Sequence, residues 1–253
     1  MSTFIDTLNR MVVERKKMTS PLYQLIMSGK ASRVLLENFV IHRYPVKERW
    51  TRHLLGLASR IDVYELRRPL VENIYEEETG ALSNSGRHLQ SFLNFGAAFG
   101  VTLARIRETP QLRETQELLQ HNISVCNDSH RHFGEGLSSV MLLMEGQPPI
   151  VSKQGASMLA VMRDVYRLPP SAYDYFVHHA SSVAGDEHVS ALEDDHARAV
   201  RDLLTHYCST PEQKEGAITA LAKALDLRHA HFDAILKFHD ASAEPYRHKE
   251  AAA

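Results

Sequence analysis

Residues 70–100 read LVENIYEEETGALSNSGRHLQSFLNFGAAFG. In the second half, His88, Phe92, Phe95 and Phe99 recur at i, i+4, i+7 and i+11. That spacing makes one continuous stripe on an α-helix. In the first half, Val71, Ile74 and Tyr75 lead at helical spacing to Glu78. Leu70 and Ile74 lead to Glu77 with Asn73 at i−4, a weaker pattern, and Glu76 points further round and reads as solvated. Gly80 and Gly86 break the segment and Gly100 ends it. The stretch is therefore helix, turn, helix, with carboxylates closing one helix and a histidine opening the next.

The same periodicity runs through the chain, and strand signals are nearly absent. Breakers divide it into helices over about 3–18, 33–60, 63–78, 87–99, 110–145, 151–166, 170–207 and 211–241, with a short turn after Pro21. A kink is expected at Pro45, where proline removes an N–H and crowds the preceding turn. A break is expected near Gly134 and Gly136, and an irregularity near Gly185. Thr210-Pro211-Glu212 supplies N-cap, first helical position and first-turn acid for the last helix. With no repeat and no linker, the expectation is one all-α domain over 1–245, with residues 246–253 a frayed tail.

The 253 residues carry a net charge of −2, with nothing like the basic stripe of a nucleic-acid binder. Cys126 and Cys208 lie far apart and form no CxxC pair, so any metal site must use nitrogen and oxygen ligands. The opening MSTFIDTLNRMVVERKK has no apolar signal region, and no apolar run approaches a membrane span. A cytoplasmic protein without nucleic-acid or membrane partners is expected.

Ionisable residues on apolar faces mark candidate sites, because a buried unpaired charge costs several kcal/mol. Glu78 ends one such face, with a charged helix end as the plainer reading. His88 extends the aromatic stripe, where a satisfied core histidine is the alternative to a ligand. Glu145 continues the face of Leu137, Met141 and Met144 directly after an apolar run. A negative charge is unfavourable at a helix C-terminus, which weakens the plain helix-end reading of Glu145. His179 shares a side with Ala172, Tyr175, Phe176, Val183 and Asp186, and His188 has Ala184, Ala191 and Leu192 as neighbours. His179 and His188 are nine residues apart and point in opposite directions on an ideal helix. A π-type bulge at Ala184-Gly185 would bring them together, and such bulges are frequent at functional sites. Carboxylates and histidines on separate helices fit the helical di-iron carboxylate pattern.

Four blocks of the chain, the second in two parts, resemble the heme-oxygenase-like superfamily, in particular its di-iron oxidase branch, with PqqC, TenA and the chlamydial CADD protein as relatives. They are SPLYQLIMSGKASRVLLENFVIHRYPVKERW, RRPLVENIYEEETG, RHLQSFLNFGAAFGV, MLLMEGQPPIVSKQGASML and YFVHHASSVAGDEHVSAL. The resemblance spans about 20–200 and implies a bundle of about seven or more helices. It implies metal ligands at Glu78, or Glu77 if the register differs by one, and at His88, Glu145, His179 and His188. The family's last block reads H-x3-D-x2-H. Here Val183 or Gly185 stands at the aspartate position, depending on which histidine is counted from, and Asp186 is the nearest carboxylate. His178 and the Glu193/His196 pair are substitutes with less suitable spacing.

The resemblance implies two Fe(II) ions per chain, with the second site altered, and O₂ as co-substrate. Glu145 and His88 would be catalytic. The reaction would oxidise a small molecule by N-oxygenation, desaturation or oxidative C–C cleavage, and relatives are often homodimers. Tyr44, Trp50 and His42, near Pro45, are candidates to line the substrate pocket, with packing as the alternative for each. Three other readings compete: a cofactor-free oxidase of the PqqC type, a TenA-type hydrolase with Cys126 as its nucleophile, and a non-catalytic binding protein on the same fold.

Overall fold

A computed structural model of the chain describes residues 3–82, 84–144, 158–178 and 198–249. Every regular element among the described residues is a helix. Helix α1 is Phe4–Glu14, opened by a capping box between Thr3 and Asp6. Helix α2 is Pro21–Met27, capped by Ser20 with proline at its first position. The single helix expected over 33–60 is two, α3 (Arg33–Glu48) and α4 (Trp50–Ala58). Pro45 removes only one hydrogen bond and α3 continues through it; the chain turns at Arg49, with φ −91° and ψ −5°.

Helix α5 is Tyr64–Thr79 and α6 is His88–Ala97. Gly80 ends α5 at φ +65°, and a Cβ there would stand 2.4 Å from the Ser85 carbonyl oxygen. Only glycine fits this backbone and this approach. Gly80→Ala is therefore expected to destabilise the fold by about 1–3 kcal/mol, read from urea unfolding.

Helices α7 (Leu103–Glu108) and α8 (Arg113–Asn127) follow. The break expected at Gly134 and Gly136 falls earlier, where Asp128 Oδ1 accepts from the His130 N–H and His132 caps the next helix, α9 (Phe133–Gly136). Gly134 serves packing instead: a Cβ there would meet Cys208 Sγ at 2.2 Å. Beyond α9 the chain winds as a π-helix over Leu137–Leu142, and again over Val161–Val165. This wider winding changes which residues share a face. Leu137 and Met141 are buried, but Met144, expected beside them, is exposed. Helix α10 is Pro170–His178, α11 covers residues 198–207, and α12 is Pro211–Leu236, ending short of the expected 241. The expected irregularity at Gly185 lies outside the described residues.

Two apolar clusters form the core. One joins α1, α4, α8, α9 and α11; the other, rich in aromatics, joins α2, α3, α6 and α10. Helix α12 runs through both. Its 26 residues span about 39 Å and are buried in turn from Ala217 to Ile235. Residues 246–248, within the stretch expected to fray, are tied down. The Tyr246 N–H donates to the Ala31 carbonyl, its hydroxyl to the Ala98 carbonyl, and the His248 N–H to the Tyr166 carbonyl.

Candidate metal centre

The end of α5 and the start of α6 meet across the Gly80 turn. His88 Nδ1 lies 3.2 Å from Glu77 Oε2, and its Nε2 lies 3.6 Å from Glu76 Oε1. The imidazole thus stands between two carboxylates. The second distance is within ion-pair range but too long for a hydrogen bond. Glu76 Oε2 accepts from the Leu82 N–H at 2.7 Å, which fixes that carboxylate as it leaves the helix.

The face of α5 that turns inward carries Leu70, Asn73 and Glu76, all buried. Val71 and Tyr75, which mark the face of Glu78, are exposed. Glu76, expected in solvent, is therefore inside, only 7% exposed, and Glu77 lies next to it. Glu78 lies toward the surface. Its Oε1 accepts from Thr51 Oγ1 at 2.6 Å and its Oε2 from Arg87 Nε at 2.9 Å. The Thr51 hydroxyl, with Arg87, holds the Glu78 carboxyl below its ordinary range. Of the two registers, the structure brings Glu77 to His88 and Glu78 to Arg87.

Glu77 and His88 suit a transition metal. Two ligands about 2.1 Å from one ion and at right angles are about 3 Å apart, close to the observed nitrogen–oxygen separation. A ligating histidine usually turns its other ring nitrogen to a carboxylate, the place Glu76 occupies. Among the described residues, no group of three or more His, Cys, Asp or Glu side chains is arranged to hold a metal ion. Glu145, His179, Asp186 and His188 lie outside the described residues, as do Val183, Gly185, Glu193 and His196 and the side chain of His178.

The three expected pocket residues do not gather in one place. Trp50 packs in the core cluster of α1, α4 and α8, and His42 stacks on Phe238 at 5.4 Å. Tyr44 lines a 430 Å³ cleft with Thr51, Leu55, Glu78, Arg87 and Leu93. Sequence reading missed Lys47. Its ammonium hydrogen-bonds the Tyr175 hydroxyl and lies 4.6 Å from the Tyr175 ring centroid and 5.1 Å from that of Phe92. Phe92 is one turn along α6 from His88, so the Lys47–Tyr175 pair adjoins the candidate centre. The position of Phe92 in the stripe signals this neighbourhood, but nothing in the spacing of α3 singles out Lys47.

Cys126 and Cys208 are both buried and unpaired. Burial pushes the Cys126 thiol up to about 12 and that of Cys208 to about 11. Neither is a thiolate near neutral pH.

A family model described as an iron-containing redox enzyme matches residues 37–229. A 4-aminobenzoate synthase of Chlamydia pneumoniae is 20% identical over 179 residues, 71% of this chain and 75% of that protein. A TenA homolog from Pseudomonas syringae superposes with a TM-score of 0.74 at 15% identity, covering 93% of each chain. A domain of unknown function with a heme oxygenase-like fold, from Shewanella denitrificans, gives 0.67 at 16% identity, covering 92% of this chain and 90% of that one. A CADD-like protein of unknown function from Nostoc punctiforme gives 0.65 at 14% identity, covering 92% and 96%. The all-α fold is thus heme oxygenase-like.

Proposed function

The chain belongs to the family of iron-containing redox enzymes, and on that premise we propose that it is an O₂-dependent non-heme di-iron oxidase acting on a small molecule. The observation that carries this reading is the His88 imidazole held between Glu77 and Glu76 at the junction of α5 and α6. Glu77 and His88 would hold one iron, with Glu76 orienting the ring. Glu145, His179, Asp186 and His188 would complete the set. Carboxylate and imidazole donors suit iron and leave positions open for other ligands. Iron, when bound, supplies the redox chemistry.

The protein's own residues prepare the surroundings. Leu82 fixes Glu76 by its backbone N–H, so that the carboxylate faces His88. Lys47 holds the Tyr175 hydroxyl beside Phe92, and the Phe92, Tyr175, Phe176 and Phe95 rings pack edge to face next to it. The name of the chlamydial relative, a 4-aminobenzoate synthase, supports a small organic substrate. A TenA-type reading needs a reactive thiol, and burial keeps both cysteines protonated.

Anaerobic Fe(II) titration followed by O₂ exposure tests the proposal. Tight uptake approaching two irons per chain and O₂-dependent oxidation of the bound iron are expected. Lack of uptake, or uptake unchanged in His88→Ala and Glu145→Ala, would exclude it.

A further inference from the structure

A second cluster lies around the Phe232 ring, between α3 and α12. Arg43 places its guanidinium 5.4 Å from that ring centroid, and His231 lies 5.9 Å from it, ring to ring. Arg228 is one turn before Phe232 on α12, and His42 precedes Arg43 on α3. All four are buried: Arg43 is 6% exposed, Arg228 5%, His42 2% and His231 0%.

The cluster holds buried nitrogens without partners. Arg43 Nε, Arg228 Nε, His42 Nε2 and His231 Nε2 are buried with no hydrogen-bond partner. His231 Nδ1 lies 3.0 Å from the Thr115 hydroxyl, the one hydrogen bond made by that side chain. In the tautomer in which Nδ1 accepts from that hydroxyl, Nε2 carries the proton and is a donor. Arg228 gives one Nη2 bond to the Arg15 carbonyl, which is neutral. The charged groups acting on His231 and Arg228 are Arg43 and, at Arg228, Arg15 as well. No carboxylate is among them.

Two guanidinium groups whose Nε atoms are buried without an acceptor, and that have no counter-ion, are unfavourable, and the Phe232 ring offsets only part of this. Burial lowers Arg228 to about 10, which still leaves it charged at neutral pH. We propose that Arg43, His231 and His42 form a binding site for an oxyanion, a carboxylate or phosphate group, between α3 and α12. Arg43 supplies charge and a planar fork of donors, and the neutral imidazoles add N–H groups. Arg228 adds positive potential behind them.

Thermal unfolding of the full chain without added metal tests this, so its failure is separable from failure of the iron reading. Acetate or phosphate is titrated against chloride at constant ionic strength near neutral pH. The wild type is expected to show a saturable rise in Tm with at least one oxyanion, since a ligand that binds only the folded state stabilises it. A response to acetate alone identifies a carboxylate site, and to phosphate alone a phosphate site. Arg43→Met is expected to weaken the apparent affinity at least about tenfold and to raise Tm in chloride alone by removing an uncompensated charge. No oxyanion response in the wild type, or an equal response in Arg43→Met, overturns the proposal. Should Arg43→Met not fold, Arg43→Lys keeps the charge and loses the fork. An affinity about tenfold weaker is then expected by calorimetric titration of the same anions, and an unchanged one overturns the proposal.

Discussion

Glu77→Gln is expected to lower Fe(II) affinity by roughly 100-fold, and Glu78→Gln by less than about threefold. The two glutamates are neighbours in sequence and equal in chemistry, so only their placement separates them. Glu77 Oε2 is 3.2 Å from His88 Nδ1, within the span of one coordination sphere. Glu78 is already engaged by Thr51 and Arg87 at the surface. Gln keeps the shape of either side chain and removes the charge that would neutralise a metal. Glu76→Gln is expected to fall between them, at about tenfold, because it would act through the ring it faces. Anaerobic Fe(II) titration of the three variants reads these affinities directly. Iron loss in Glu78→Gln with retention in Glu77→Gln would reverse the assignment and move the centre to the Arg87 side of the helix.

The all-α class was legible because the aromatic stripe that begins on α6 is simple: Phe92, Phe95 and, just past the helix end, Phe99 are all buried, as their spacing requires. The inward face of α5 was not. Tyr75 and Val71 are large and apolar, yet exposed, whereas Asn73 and Glu76 are polar and inside. An apolar stripe identifies the core only when the polar residues lie opposite it. Where a site places polar groups in the core, the pattern inverts, and that inversion is the signature of the site. The π-helical winding at Leu137–Leu142 was hidden for a different reason. It alters the number of residues per turn, so face assignments made at 3.6 residues slip, and Met144 turns outward. The buried cations of α3 and α12 escaped notice because Arg43 and Arg228 look like ordinary surface residues of amphipathic helices until both helices are packed on two sides.

Acid is expected to unfold the protein well above the range in which its carboxylates titrate. His42 and His53 are each 2% exposed, and burial lowers both to about 4, with Arg49 adding to the effect at His53. Neither ring nitrogen of His53 has a hydrogen-bond partner, so nothing in place stabilises the cation. The unfolded chain takes up a proton at each site near pH 6.5, and the folded chain does so only near pH 4. Between those values the unfolded state binds more protons, so stability rises with pH. The contribution is complete above 6.5 and is lost as pH falls toward 4. Each shift corresponds to about 3 kcal/mol over the whole window, and to about 2 kcal/mol by roughly pH 5. Together they are a large share of the 5–15 kcal/mol that holds a typical domain. His231, buried further and lowered well below its ordinary value, acts in the same direction. Urea unfolding across this range is expected to show a flat plateau near neutrality and a steep loss below about 6.5. His53→Phe removes one titrating ring from a site that is 2% exposed and offers it no hydrogen bond. Its profile is expected to lose about 3 kcal/mol less between neutrality and pH 4. A wild-type profile level down to pH 4.5, or an unchanged slope in His53→Phe, would show that these imidazoles are protonated in the folded protein and paired with groups their burial does not suggest.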